Sequence, residues 1–369
     1  LNEPTVGKKE LKHINFTIKK KWISSYGGYN KKFENILSRI LKCKNVIAVS
    51  SGTAALHLAL KVLNVKENDE VIVPSLTFIA TINAIKYVNA SPIFMDVGND
   101  HNLDIDKTIE FLEKKTFIKN KSTYNLKTKK KISALIVVHL WGNAINFERL
   151  KTVCKKRNIF IIEDATEALG TTYINKQRKI KHVGTIGDIG CLSFNGNKII
   201  TTGSGGAVIS NNSKLAKKTL YYAEQAKDDN VRYIHNEIGY NYRLPNLNAA
   251  FGYAQILKLD QILKKKKIIH KFYKHKIEKI NGLSLLKPVN YSRSNFWMNI
   301  LIIDSIKIKI SPIKFHKKLL AKGVQARLIW KPNHLQKKYK KMQNYKIINS
   351  NKLYNSCLCI PSSFDLNSK

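Results

Sequence analysis

Apolar residues in the first two-thirds of the chain come in short unbroken runs rather than in alternation with polar ones. The runs are VIAV (46–49), EVIVP (70–74), PIFMD (92–96), ALIVVHL (134–140), IFIIED (159–164), CLSF (191–194) and GAVIS (206–210). A strand that is apolar at successive positions has both faces covered, the condition of a mostly parallel sheet wrapped by helices. Between the runs lie stretches of helical periodicity such as TAALHLALKVL (53–63) and FERLKTVCKKR (147–157). The pattern therefore predicts an α/β fold with a seven-stranded, mostly parallel sheet. Residues 105–131, polar and Lys-rich, predict a helix followed by an irregular excursion, and GYNYRLPNLNAAFGYAQILKLDQIL (239–263) predicts a loop and one long helix. Further on, MNILIID (298–304) and a helix near 312–322 suit a smaller α+β C-terminal domain. The chain of 369 residues is long enough for two domains. The expected division is a large domain over 1–255, whose N-terminal segment packs on its neighbour, and a small one over 256–369.

Charge complicates this ordinary picture. Lys and Arg total 65 against 25 Asp and Glu, a formal net charge of +40, which points toward nucleic acid or an anionic membrane. Yet 57 of those 65 are lysine and only eight arginine. Lysine lacks the planar fork that grips phosphate and guanine. The lysines are scattered in small runs with no aromatic-rich basic motif of the kind RNA-binding sheets carry, and the skew accompanies abundant Asn and Ile, as an AT-rich coding sequence would write into any surface. The expectation is no specific nucleic acid. Five cysteines without a C-x-x-C pair suggest reduced thiols in a cytoplasmic protein and no metal. No apolar segment approaches the roughly 20 residues needed to span a bilayer, so no membrane is expected. The sequence opens on Leu1, so an initiator or short leader is expected to be missing.

In a doubly wound sheet the chemistry sits where strands end, and three such places stand out. Ser51-Gly52-Thr53-Ala54 follows a strand and opens a helix; free helix-end amides and the Thr53 hydroxyl make an anion cradle suited to phosphate, although a simple helix cap would look the same. The run IFIIED delivers Glu163 and Asp164 to a strand end, where a carboxylate pairs with a cationic ring nitrogen or a metal, or merely caps a helix. In GDIGCLSFNGNKIITTGSGGAVIS, Lys198 follows a buried strand and precedes Ile199-Ile200. Desolvation there lowers an amine's pKa toward a nucleophile; without those neighbours a surface charge would be the default. The G-S-G-G that follows lacks the G-K-[ST] ending of a phosphate loop and opens no helix.

Cradle, carboxylate and lysine in this order, together with PTVGKKELKHI, SSYGGYNKKFE (24–34), SSGTAALHLAL (50–60), DEVIVPSLTFIATINAI (69–85), EDATEALG (163–170), SFNGNKIITTGSGGAVIS (193–210), GYNYRLPNLNAA (239–250) and CIPSS (359–363), resemble the DegT/DnrJ/EryC1/StrS family of sugar aminotransferases. Those enzymes have the fold type I, aspartate aminotransferase-like architecture and use pyridoxal 5′-phosphate. The resemblance implies that Lys198 binds the cofactor covalently and later shuttles a proton to the sugar carbon. Asp164 would pair with the pyridinium nitrogen, Phe78 lie against the ring, and Glu167, where many relatives carry Gln, bond the ring hydroxyl. Gly52, Thr53, Ala54 and Ser193 would hold the phosphate, with Asn241 reaching it from the other subunit of an obligate homodimer. His334 of Trp330-Lys331-Pro332-Asn333-His334 and the preceding Arg327 would contact the sugar nucleotide, a satisfied surface His being the alternative, while His139 reads as structural.

A dehydratase branch of the family has His in place of the lysine, so Lys198 implies transamination: L-glutamate donates an amine that passes to C4 of a nucleotide-linked 4-keto-6-deoxy sugar. The motifs lean toward a UDP-linked, N-acetylated sugar of surface-glycan or polysaccharide biosynthesis, with GDP-4-keto-6-deoxymannose, the substrate of perosamine synthases, as runner-up. Ser204 and Asn146 depart from the usual family residues, and the sequence ends at Lys369 where relatives continue into a final helix, which predicts a less well covered small domain. Two other classes compete: a catalytically inactive, aminotransferase-like regulator, against which the retained Lys198, Asp164, Thr53 and Ser193 argue, and a non-specific nucleic-acid binder using the +40 charge.

Overall fold

A computed structural model describes residues 1–366; the expectation attached to the chain's last residue, Lys369, lies outside that range. Each predicted apolar run forms a strand within two residues of its expected limits. They assemble in the order Asn45–Val49, Gly206–Ser210, Ile189–Ser193, Phe160–Asp164, Ile132–Val138, Glu70–Pro74, Ser91–Met95, Asn344–Tyr345. Gly206–Ser210 runs antiparallel to both neighbours, and the remaining pairings are parallel. The sheet therefore has eight strands, not seven. The eighth is a two-residue piece from the far end of the chain, too short and too polar to leave a periodic signal. Ile132–Val138 is buried at all seven positions, as a central strand covered on both faces must be.

Two other expectations fail for local reasons. The irregular excursion within 105–131 is ordered: after helix Ile105–Lys114 the chain forms a hairpin, Thr116–Lys119 with Ser122–Asn125. Its turn residues Asn120 and Lys121 both have positive φ, the geometry of a tight two-residue reversal that Asn favours and Lys disguises. The long helix expected within 239–263 is two, Asn246–Ile256 and Leu259–Ile277, with Leu257 and Lys258 between them. The domain boundary expected at residue 255 falls at the end of the first. Leu259–Ile277 packs Tyr273 and Ile277 on a second, four-stranded antiparallel sheet of Leu283–Leu285, Asn299–Ile303, Cys357–Ile360 and Arg327–Leu328. All five cysteines are buried free thiols, and among the described residues no helix is long and apolar enough to cross a membrane.

The late chain is fastened to the large sheet by one carboxylate. Asp96, just past Ser91–Met95 and inaccessible to solvent, accepts the amides of Ile348, Asn349 and Ser350, each at 2.9 Å, and the Lys107 ammonium at 2.6 Å. Burial pushes its pKa up, but Lys107 and the three amides outweigh that and hold it at about 2, below the usual 3.8. A depressed folded-state pKa contributes stability that is full above the unfolded value and lost as pH falls through the folded one. Asp96→Asn should cost about 2 kcal/mol in urea unfolding at neutral pH. The gap from wild type should narrow as the pH is lowered from about 4 toward about 2.

Candidate active site

The ends of strands Phe160–Asp164 and Ile189–Ser193 and the starts of helices Gly52–Val62 and Ile79–Tyr87 meet at a cavity of about 450 Å³ lined by Gly52, Thr53, Phe78, Asp164, Glu167, Ser193, Lys198, Trp297, Arg327 and Trp330, among others. Helix Gly52–Val62 begins there. Its cap is Ser51, whose Oγ accepts the Ala54 amide at 3.0 Å. Ala54 is thus already paired and lies behind the cavity wall, while the Gly52 and Thr53 amides, in the first turn, have no acceptor within the helix. A Cβ on Gly52 would sit 2.8 Å from the Ser193 Cβ, so the helix end and the Ser193 hydroxyl share one anion-sized cradle only because residue 52 is glycine.

Successive residues on a strand face opposite ways, and this separates the two carboxylates at the end of Phe160–Asp164. Asp164 turns into the cavity, its Oδ2 accepting the Thr81 hydroxyl at 2.6 Å and its Oδ1 the Thr166 hydroxyl at 2.7 Å. Glu163 turns away and accepts the amides of Gly184, Ile186 and Gly187. The His139 Nδ1 accepts the Ile145 amide, so its Nε2 carries the proton and donates to Glu163 at 2.9 Å. Every polar atom of that pair is committed to holding loops, in keeping with a structural His139.

Lys198 lies in the connection between Ile189–Ser193 and Gly206–Ser210. Its Nζ is 4.0 Å from Glu167 Oε1 and 4.3 Å from the centre of the Trp297 ring. Burial lowers the amine's pKa, with Glu167 and Asp164 opposing. Burial also raises the Glu167 pKa to about 7, against the pull of Lys198 and a hydrogen bond from the Trp141 amide. An amine whose pKa burial lowers and a carboxyl whose pKa burial raises, side by side in one cavity, are each shifted toward the range where protons exchange with a bound substrate at little cost.

Phe78, half exposed at the N-cap of helix Ile79–Tyr87, stands at the mouth with its ring centre 6.1 Å from that of Trp330. Arg327 is exposed on the rim. Besides Ala54, two predicted residues are not in this cavity. His334 is turned to Ser75, its Nδ1 2.6 Å from the hydroxyl, and exposed Asn241 lines a separate small cleft with Glu224 and Arg243. Sequence reasoning missed Thr81, Thr166 and Trp297. Threonines carry no signal by type, and Trp297, a hundred residues from Lys198, is linked to it only by the fold.

The cradle fits the phosphate of pyridoxal 5′-phosphate, and Asp164, with both oxygens oriented by hydroxyl donors, fits a cationic ring nitrogen beside a reactive lysine. Fold and site together define a pyridoxal-phosphate-dependent aminotransferase of fold type I. The DegT/DnrJ/EryC1/StrS aminotransferase family model matches residues 4–369, and the chain belongs to that family. It is 36% identical to a GDP-perosamine synthase of Escherichia coli O157:H7, over 91% of this chain and 86% of that one. A UDP-4-amino-4,6-dideoxy-N-acetyl-beta-L-altrosamine transaminase of Campylobacter jejuni is 32% identical over 92% of this chain and 85% of that one. The fold is that of the Helicobacter pylori aminotransferase PseC, with a TM-score of 0.87 and 24% identity over 99% and 94% of the two chains.

Proposed function

We propose that this enzyme moves an amino group from L-glutamate to C4 of a nucleotide-linked 4-keto-6-deoxyhexose in the cytoplasm. The observation that carries the reading is the desolvated Lys198 amine facing the same cavity as Asp164 and the Gly52–Ser193 cradle. When bound, pyridoxal phosphate stores the amino group between half-reactions and acts as electron sink for the substrate carbon. The chain supplies the rest. The amides of Gly52 and Thr53 and the Ser193 hydroxyl hold the phosphate, and Asp164 keeps the ring nitrogen protonated. Glu167 donates to or accepts from the ring hydroxyl, Phe78 covers the ring, and Lys198 moves a proton at the sugar's C4. The exposed Arg327 on the rim supports a contact to the nucleotide diphosphate. Asn241 is exposed and outside its own chain's cavity, which suits a contact to the phosphate held by the second subunit of a homodimer.

Relatives of two substrate classes support the reading. The GDP-linked sugar has the higher identity behind it and is the first to assay; the UDP-linked, N-acetylated sugar favoured by the motifs is the second. Borohydride reduction of the cofactor-loaded protein followed by peptide mapping should label Lys198. Glutamate with one of the two keto sugars should then give the 4-amino sugar. A label on another lysine, or no amino sugar from either nucleotide, overturns the reading.

A further inference from the structure

Among 57 lysines, Lys266 of helix Leu259–Ile277 is unusual in being 1% exposed. An ammonium has three donors and no acceptor, and here each donor meets a neutral oxygen: Asn2 Oδ1 at 2.5 Å, the Trp297 carbonyl at 3.3 Å and the Ser362 carbonyl. No carboxylate is within ion-pair distance of it among the described residues. Burial accordingly lowers its pKa, to about 7. Burying a charge with no counter-ion is costly, and a methionine of similar size would fill the space without that cost.

What the charge achieves is visible in its partners. Because Lys266 can only donate, Asn2 must turn its oxygen toward it, which leaves the Asn2 Nδ2 facing the other way. There it donates to the Asn197 carbonyl at 2.6 Å and the Lys198 carbonyl at 3.3 Å. The second arm ends in the same place. Trp297, held through its carbonyl, donates from Nε1 to Asn197 O at 2.7 Å and lays its ring beneath the Lys198 amine. We propose that Lys266 is a positioning residue for Lys198: its ammonium sets the Asn2 amide and the Trp297 ring, and these fix the turn that aims the reactive amine into the cavity.

This rests on the reading of Lys198 as the reactive amine, but its test needs neither cofactor nor sugar. The apoprotein is pulse-labelled with acetic anhydride across a pH series, and acetylation of Lys198 is followed by peptide mass spectrometry with exposed Lys114 as internal control. In Lys266→Met the amine gains solvent. The midpoint of its profile should rise by about 0.5 pH and its labelling near neutrality should fall about threefold, Lys114 being unchanged. Asn2→Ala, which leaves Lys266 in place, should move the profile in the same direction, and the double variant should go no further than the larger single change. A wild-type Lys198 profile in Lys266→Met, or effects of the two changes that simply add, would overturn the proposal. The borohydride label fails independently of this if Lys198 is not the cofactor's lysine.

Discussion

Replacing Lys198 with alanine is expected to leave a folded protein that binds pyridoxal phosphate without covalent attachment and has lost turnover by at least about 10⁴-fold. In the proposed reaction the Lys198 amine, which lines the cavity, both holds the cofactor and carries a proton to the sugar carbon. No neighbour can substitute: Glu167 is 4.0 Å away from it but has no nucleophilic nitrogen, and Trp297 only bears against the ammonium. Dialysis against cofactor-free buffer separates the two losses. Wild type should keep its visible absorbance while the variant loses it, and residual turnover with saturating cofactor measures the proton-transfer deficit alone. Retained turnover within tenfold of wild type would remove Lys198 from the chemistry.

Asp164→Asn is the second large effect. An asparagine keeps the size of the side chain and can keep one of the hydrogen bonds from Thr81 and Thr166, so the fold should survive. What it loses is the charge that, in the proposed reading, keeps the ring nitrogen protonated. Electrostatic groups of that kind are worth on the order of 10² to 10³ in turnover. The loss should fall on kcat rather than on the KM of either substrate, because the charge acts on electron withdrawal and not on sugar binding. A fall in cofactor affinity with unchanged kcat at saturation would assign Asp164 to binding alone.

The central sheet was legible because strands covered on both faces must be apolar at every position, a constraint no loop mimics over seven places in order. The cavity was legible because its chemistry sits at strand ends, where Gly52, Asp164 and Lys198 interrupt apolar surroundings. Between adjacent Glu163 and Asp164, only the alternation of the strand assigns one to the cavity and the other to loops. What stayed hidden depends on distant pairings of ordinary residues. Asn344–Tyr345 adds to the sheet through a parallel pairing with Ser91–Met95, and the hairpin turn at Asn120 and Lys121 rests on backbone dihedrals. The network on Lys266 joins residues 2, 197, 266, 297 and 362, a grouping that sequence spacing does not encode.

The short eighth strand also bears on how the chain is made. Until residues 344–350 leave the ribosome, Ser91–Met95 stands as an open edge of the largely apolar sheet, and Asp96 lacks the three amides and the Ser350 hydroxyl that donate to it. At synthesis rates of roughly 5 to 20 residues per second that interval lasts on the order of ten seconds or more. An unpaired edge of this kind recruits other strands, so the nascent large domain is most exposed to misassociation while the last third of the chain is being translated.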